Sequence, residues 1–130
     1  MKKQMKAIII FVSVIISFFI VCWVGIVIAW NIPIHKEIKN ISTSVSPNGK
    51  YEAILQQVGD PVWPFGSTSL KVVIKNIETN KNIDVIESSV SDDGSNLFDK
   101  NWEVVWYDTD VDIILKGSEQ QDAIHTVQLN

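Results

Sequence analysis

Residues Ala7 to Trp30 read AIIIFVSVIISFFIVCWVGIVIAW, a run of twenty-four without a charge, dominated by Ile, Val, Phe and Trp. As a helix rising ~1.5 Å per residue it reaches roughly 36 Å, enough to cross a ~30 Å hydrocarbon core with some tilt. Its β-branched residues favour strand in water. Lipid, however, offers no partner to a free amide or carbonyl, so a lone spanning segment must close its own hydrogen bonds as a helix. The run exceeds the roughly 7–15 apolar residues of a signal-peptide core, and bulky Trp30 would follow a cut after Val27-Ile28-Ala29, so an uncleaved anchor is expected. A lipoprotein signal is excluded, because Phe19-Ile20-Val21 precedes Cys22 where a small residue is required.

Outward from this segment, Lys2, Lys3 and Lys6 crowd the N-terminal side, against Lys36 and Lys39 with Glu37 on the other. The positive-inside rule then sets the N-terminus in the cytoplasm and the rest of the chain outside the cell membrane. The expected organisation is a cytoplasmic tail at 1–6, a transmembrane helix at 7–30, a stalk at 31–40 and an extracytoplasmic domain at 41–130. Pro33 restrains the residue before it and donates no hydrogen bond, so it stops the helix, and His35 to Asn40 continues as a short polar stalk. Within the span Ser13, Ser17, Gly25 and Ala29 fall on a four-residue spacing broken only by Val21. Small residues so placed either form a helix-mediated homodimer seam or reflect the ordinary use of Gly, Ala and Ser in membrane helices.

About ninety residues remain for the outer part, enough for one small core. From Asn40 to Asn130 there are six lysines against fourteen Asp and Glu, a net charge of −8, and the chain has no arginine. Nucleic acid requires clusters of Lys and Arg to neutralise phosphates, so it is excluded as a partner. Cys22 is the only cysteine, which rules out an intrachain disulfide and a thiol active site in the domain.

From Ile41 onward, short alternating runs rich in Val, Ile, Thr, Tyr and Trp are broken every eight to twelve residues by Asn, Asp, Gly, Ser or Pro, the pattern of antiparallel strands. Strands are expected at 41–45, 50–58, 70–77, 83–87, 102–106, 111–116 and 123–129. In the second, Tyr51, Ala53 and Leu55 share one face; in the third, Leu70, Val72 and Ile74 oppose Lys71, Val73 and Lys75. Seven short strands with mostly hairpin connections predict a mainly antiparallel β domain, a meander folded into a small sandwich or half-open barrel behind the transmembrane α-helix.

The turn Ser46-Pro47-Asn48-Gly49-Lys50-Tyr51-Glu52-Ala53 resembles one in a widespread bacterial group of small proteins with a single N-terminal span. Their outer β domain opens with Ser-Pro-Asp-Gly-Lys-Tyr, and the function of most of them is unknown. Asn48 stands here in place of the usual Asp. The likeness covers the anchor and about the first forty domain residues; it implies β topology and membrane placement and carries no site residues. The turn is also similar to those that begin strands in β-propeller repeats, but ~90 residues make at most two four-stranded blades.

Asp108, Asp110 and Asp112, with Glu119, stand at positions 1, 3, 5 and 12 of a calcium-loop template, but position 6 is Ile113 where the sharp turn needs Gly. Val111-Ile113-Leu115 also reads as the apolar face of a strand. The three aspartates are therefore either a weak metal site of another geometry or a solvated face that blunts a sheet edge. The wider run Glu87, Asp92, Asp93, Asp99, Glu103 to Asp112, with Lys100 alone against it, either attracts a basic partner or divalent cations, or keeps the domain soluble. Between the second and third strands, Gly59-Asp60-Pro61-Val62-Trp63-Pro64-Phe65-Gly66 carries two large aromatics in a proline-stiffened loop. Trp63 and Phe65 either stand out as interface anchors or fold back to cap the core. Trp102 and Trp106 share a strand face and read as core.

One domain histidine, His125, and no domain cysteine leave no zinc set, and a serine triad would rest on His125 alone. No cofactor and no catalysis are expected. The function expected from the sequence is a membrane-anchored module that binds another envelope protein in sensing, exclusion or immunity. The alternative is a receptor module that binds a ligand or divalent cation through the acidic loops.

Overall fold

In the computed structural model, which describes residues 1–31 and 36–130, the chain divides into two units, an N-terminal helix and a β domain from Lys36 to Asn130. The helix, α1, runs Lys2–Asn31, and the side chains up to Trp30 are exposed along its whole length. It takes in Lys2, Lys3 and Lys6, which the sequence assigns to a tail, as Met5 N–H donates to the Met1 carbonyl at 3.0 Å. A helix of this length and composition is long and apolar enough to cross a membrane. The expected stop at Pro33 and the stalk start at His35 lie outside the described residues.

The β domain has seven strands: β1 Ile38–Val45, β2 Tyr51–Val58, β3 Thr68–Asn76, β4 Lys81–Val90, β5 Trp102–Trp106, β6 Asp110–Leu115 and β7 Ala123–Gln128. They form two antiparallel meanders, β1-β2-β3-β4 and β5-β6-β7, not closed into a barrel. A single crossover, residues 91–101 ending in the 3₁₀ turn Asp99–Asn101, carries the chain from one sheet to the other. The inner faces share one core, in which Ala53, Leu55, Leu70, Val72 and Ile74 of the first sheet join Trp102, Val111, Ile113 and Leu115 of the second. This is the sandwich alternative, and alternation on β2 and β3 falls as the sequence reads it.

Two strands depart from the sequence reading. β1 starts three residues before Ile41, because Ile38, Lys39 and Asn40 pair with Val58, Gln57 and Gln56, so part of the expected stalk is sheet. The register then skips Ile41, and this bulge reverses the phase: Ser42 and Ser44 lie opposite Leu55 and Ala53, while Val45 is exposed. Ser44 is kept inward by a partner, its Oγ accepting the Trp106 indole N–H at 2.9 Å. β4 is longer than expected at both ends, and the register skip beside Ile74 leaves Ile83 as its extra residue.

The strand directions give the sandwich two ends. One carries the start of β1, the β2–β3 loop, the crossover and the β6–β7 turn; the other carries the β1–β2, β3–β4 and β5–β6 turns.

Candidate functional site

The β2–β3 loop begins at Gly59, whose N–H donates to the Glu37 carbonyl at 2.8 Å, beside the start of β1. Val62 N–H donates to Ser67 O at 3.1 Å and Gly66 N–H to Val62 O at 2.6 Å, closing the loop on itself. The Trp63–Pro64 peptide is cis. At Gly94, with φ +69°, a β-carbon would lie 2.8 Å from the Pro64 carbonyl oxygen, so glycine lets the turn at 92–95 support the loop from below. On this frame Trp63 is 88% exposed and Phe65 69%, with Val62 also exposed. Neither ring caps the core.

A buried amide secures the loop base. Gln57 is 2% exposed; its Nε2 donates to Gly59 O at 2.8 Å and to Asn96 Oδ1 at 2.9 Å, while its Oε1 accepts the Leu97 N–H at 2.9 Å. Sequence alternation marks position 57 as inward but gives no sign that two of its three partners sit some forty residues away.

The acidic run is not uniformly exposed. Asp92 is buried, and its Oδ2 accepts Asn101 Nδ2 and Lys100 Nζ, each at 3.1 Å, while Oδ1 accepts the Ser118 N–H at 3.1 Å. The Asn101 bond, then the Ser118 and Lys100 contacts, hold its carboxyl well below the usual carboxylate range. It is a brace tying the crossover to the β6–β7 turn. Lys116 pairs with Glu103, and that hydrogen bond raises the ammonium above its ordinary value.

Asp110 and Asp112 alternate along β6, which continues through Ile113 as strand and so cannot form a calcium loop. Asp112 Oδ1 accepts the Thr126 hydroxyl at 2.6 Å, and Asp108 stands in the turn before the strand. Among the described residues no group of three or more His, Cys, Asp and Glu side chains comes together to hold a metal ion, so these three do not form one. His125 lies opposite the inward-facing Ile113, half-buried on the outermost strand of its sheet. Ser13, Ser17, Gly25 and Ala29 all lie on α1, where the Ser13 hydroxyl donates to Ile10 O at 2.8 Å.

Helix and sandwich together define a β domain joined to one span-length apolar helix. Compared with family models, curated proteins and solved structures, the chain matches none.

Proposed function

We propose that this chain is a single-span membrane protein, a relative of the small single-span bacterial group it resembles, whose sandwich stands outside the cell membrane and binds another envelope protein without catalysis. The exposure of Trp63 and Phe65 on a closed, internally bonded loop carries this reading. Large aromatics held out at low conformational cost are the residue types that dominate interface hot spots. The loop lies at the end of the sandwich where β1 begins, away from the β1–β2, β3–β4 and β5–β6 turns. Lys2, Lys3 and Lys6 support the orientation by the positive-inside rule.

Two measurements test this. Protease added to intact cells should digest the C-terminal domain and spare it only when the domain faces inward, which would overturn the orientation. A photo-crosslinker at position 63 or 65 in living cells should give one discrete protein adduct that is absent when the probe sits at Thr79, in a turn at the other end. With the probe moved to the exposed Val62, Trp63→Ser with Phe65→Ser should weaken capture about thirtyfold or more, the scale of removing a hot-spot ring worth ~2 kcal/mol. Lipid adducts alone, or equal labelling from Thr79, would contradict a protein partner.

A further inference from the structure

At the other end of the sandwich lies a second, unrelated feature. The β1–β2 turn and the β5–β6 turn enclose a crevice of about 130 Å³, lined chiefly by Ser46, Pro47, Tyr51, Trp106, Tyr107 and Asp108. Drug-sized pockets run ~300–1,000 Å³, so this one suits a single head group.

Hydrogen bonds within both turns build the walls of the crevice. Ser46 N–H donates to Tyr51 O at 2.9 Å, Tyr51 N–H to Ser46 Oγ at 3.0 Å, and the Ser46 hydroxyl to Asn48 Oδ1 at 2.6 Å. Asn48 Oδ1 also accepts the Lys50 N–H at 3.0 Å, and Gly49 N–H donates to Ser46 O at 2.9 Å with φ +72°. On the opposite wall Tyr107 N–H donates to Asp110 O at 2.9 Å. The Trp106 indole spends its single donor on Ser44, which fixes the ring and leaves it only its π surface to offer.

Asp108 is exposed at the lip and, among the described residues, makes no hydrogen bond or ion pair, not even with Lys50 of the facing turn. One unpaired carboxylate beside three aromatic rings suits a cation whose charge is spread over carbon and nitrogen. Aromatic faces attract such a cation, and the net charge of −8 carried by residues 40–130 draws it in and repels anions. A hard metal ion requires several oxygen ligands, which one carboxylate does not supply.

We propose that this crevice binds an organic cation of one ammonium or guanidinium head. The same chemistry is carried by a lysine or arginine side chain of a basic partner and by a free alkylammonium ion. The proposal does not depend on the Trp63 loop.

The test uses the full chain in maltoside micelles, followed by tryptophan fluorescence. The probes are tetramethylammonium chloride and Nα-acetyl-lysine methylamide, with sodium chloride at equal ionic strength and tert-butanol as controls. At least one cation should saturate with a midpoint of roughly 1–10 mM, the range open to so few atoms. Saturation by the capped lysine alone identifies a side chain as ligand, and saturation by tetramethylammonium identifies a free ion. Asp108→Asn and Tyr107→Ala, both at exposed turn positions, should each weaken binding about tenfold. Failure of both probes to saturate, wild-type binding by both variants, or an equal response to tert-butanol would overturn the proposal.

Discussion

Asp92→Ala is expected to destabilise the β domain by about 3 kcal/mol at neutral pH, read as a fall in the urea midpoint of the full chain in micelles. The side chain is 8% exposed and accepts from Asn101, Lys100 and the Ser118 backbone. Hydrogen bonds to a charged group contribute ~1.5–3 kcal/mol each, and truncation leaves the buried Asn101 amide short of an acceptor. With a urea slope of ~1–3 kcal/mol/M, a midpoint change under about 0.5 M would contradict the assignment. The pH dependence has a definite sign. Folding lowers this carboxyl below its ordinary 3.8, so the unfolded chain binds the proton more tightly. The contribution is therefore complete above about pH 5 and drains away as pH falls through and below 3.8. The stability gap between the wild type and Asp92→Asn should accordingly narrow from pH 7 to pH 3; a constant gap would mean that the charge is irrelevant.

Gly117→Ala should cost about 2–4 kcal/mol, through overpacking against backbone. A β-carbon there would stand 2.3 Å from the Ser91 carbonyl oxygen and 2.9 Å from Val90 Cγ1, and neither wall is a flexible side-chain tip. Relief requires the β6–β7 turn to lift from the crossover. That motion strains Gln120 Oε1, which accepts the Ser91 N–H at 2.7 Å, and Lys116 N–H, which donates to Asn101 O at 2.8 Å. Gly49→Ala is the control: it meets open space, so only its φ of +72° costs, about 1 kcal/mol. Comparable thermal shifts for the two variants would show that the turn yields easily. Since Asp92 and Gly117 hold the same junction, the double variant should lose less than the sum of the singles.

Periodicity alone exposes β2 and β3, because each buries one face and alternates without interruption. It misleads at β1, where alternation from Ile41, which does pack against the core, would carry Thr43 and Val45 inward, yet one extra residue puts Ser42 and Ser44 there. Nothing in a single strand announces such a bulge, since it is defined against the partner. The acidic segment illustrates a second limit. Asp92 and Asp93 are neighbours of one composition, but one is buried with three donors and the other exposed. Those donors come from residues 100, 101 and 118, contacts that only tertiary folding creates. For Trp63 and Phe65, residue type and stiff flanks single out the loop, but its direction depends on Glu37 and Gly94 beneath it. The crevice was not legible at all, as its walls lie more than fifty residues apart.

Every connection but one joins adjacent strands, and that one, at 91–101, follows the fourth strand. A chain emerging N-terminus first therefore completes β1 to β4 from local pairings, which form fast. Their inner surface, with Leu55, Leu70, Val72 and Ile74, then stays wet until some forty more residues have arrived. During synthesis this half-built sheet is the species most in need of a chaperone, and the growing end of the chain supplies its permanent cover.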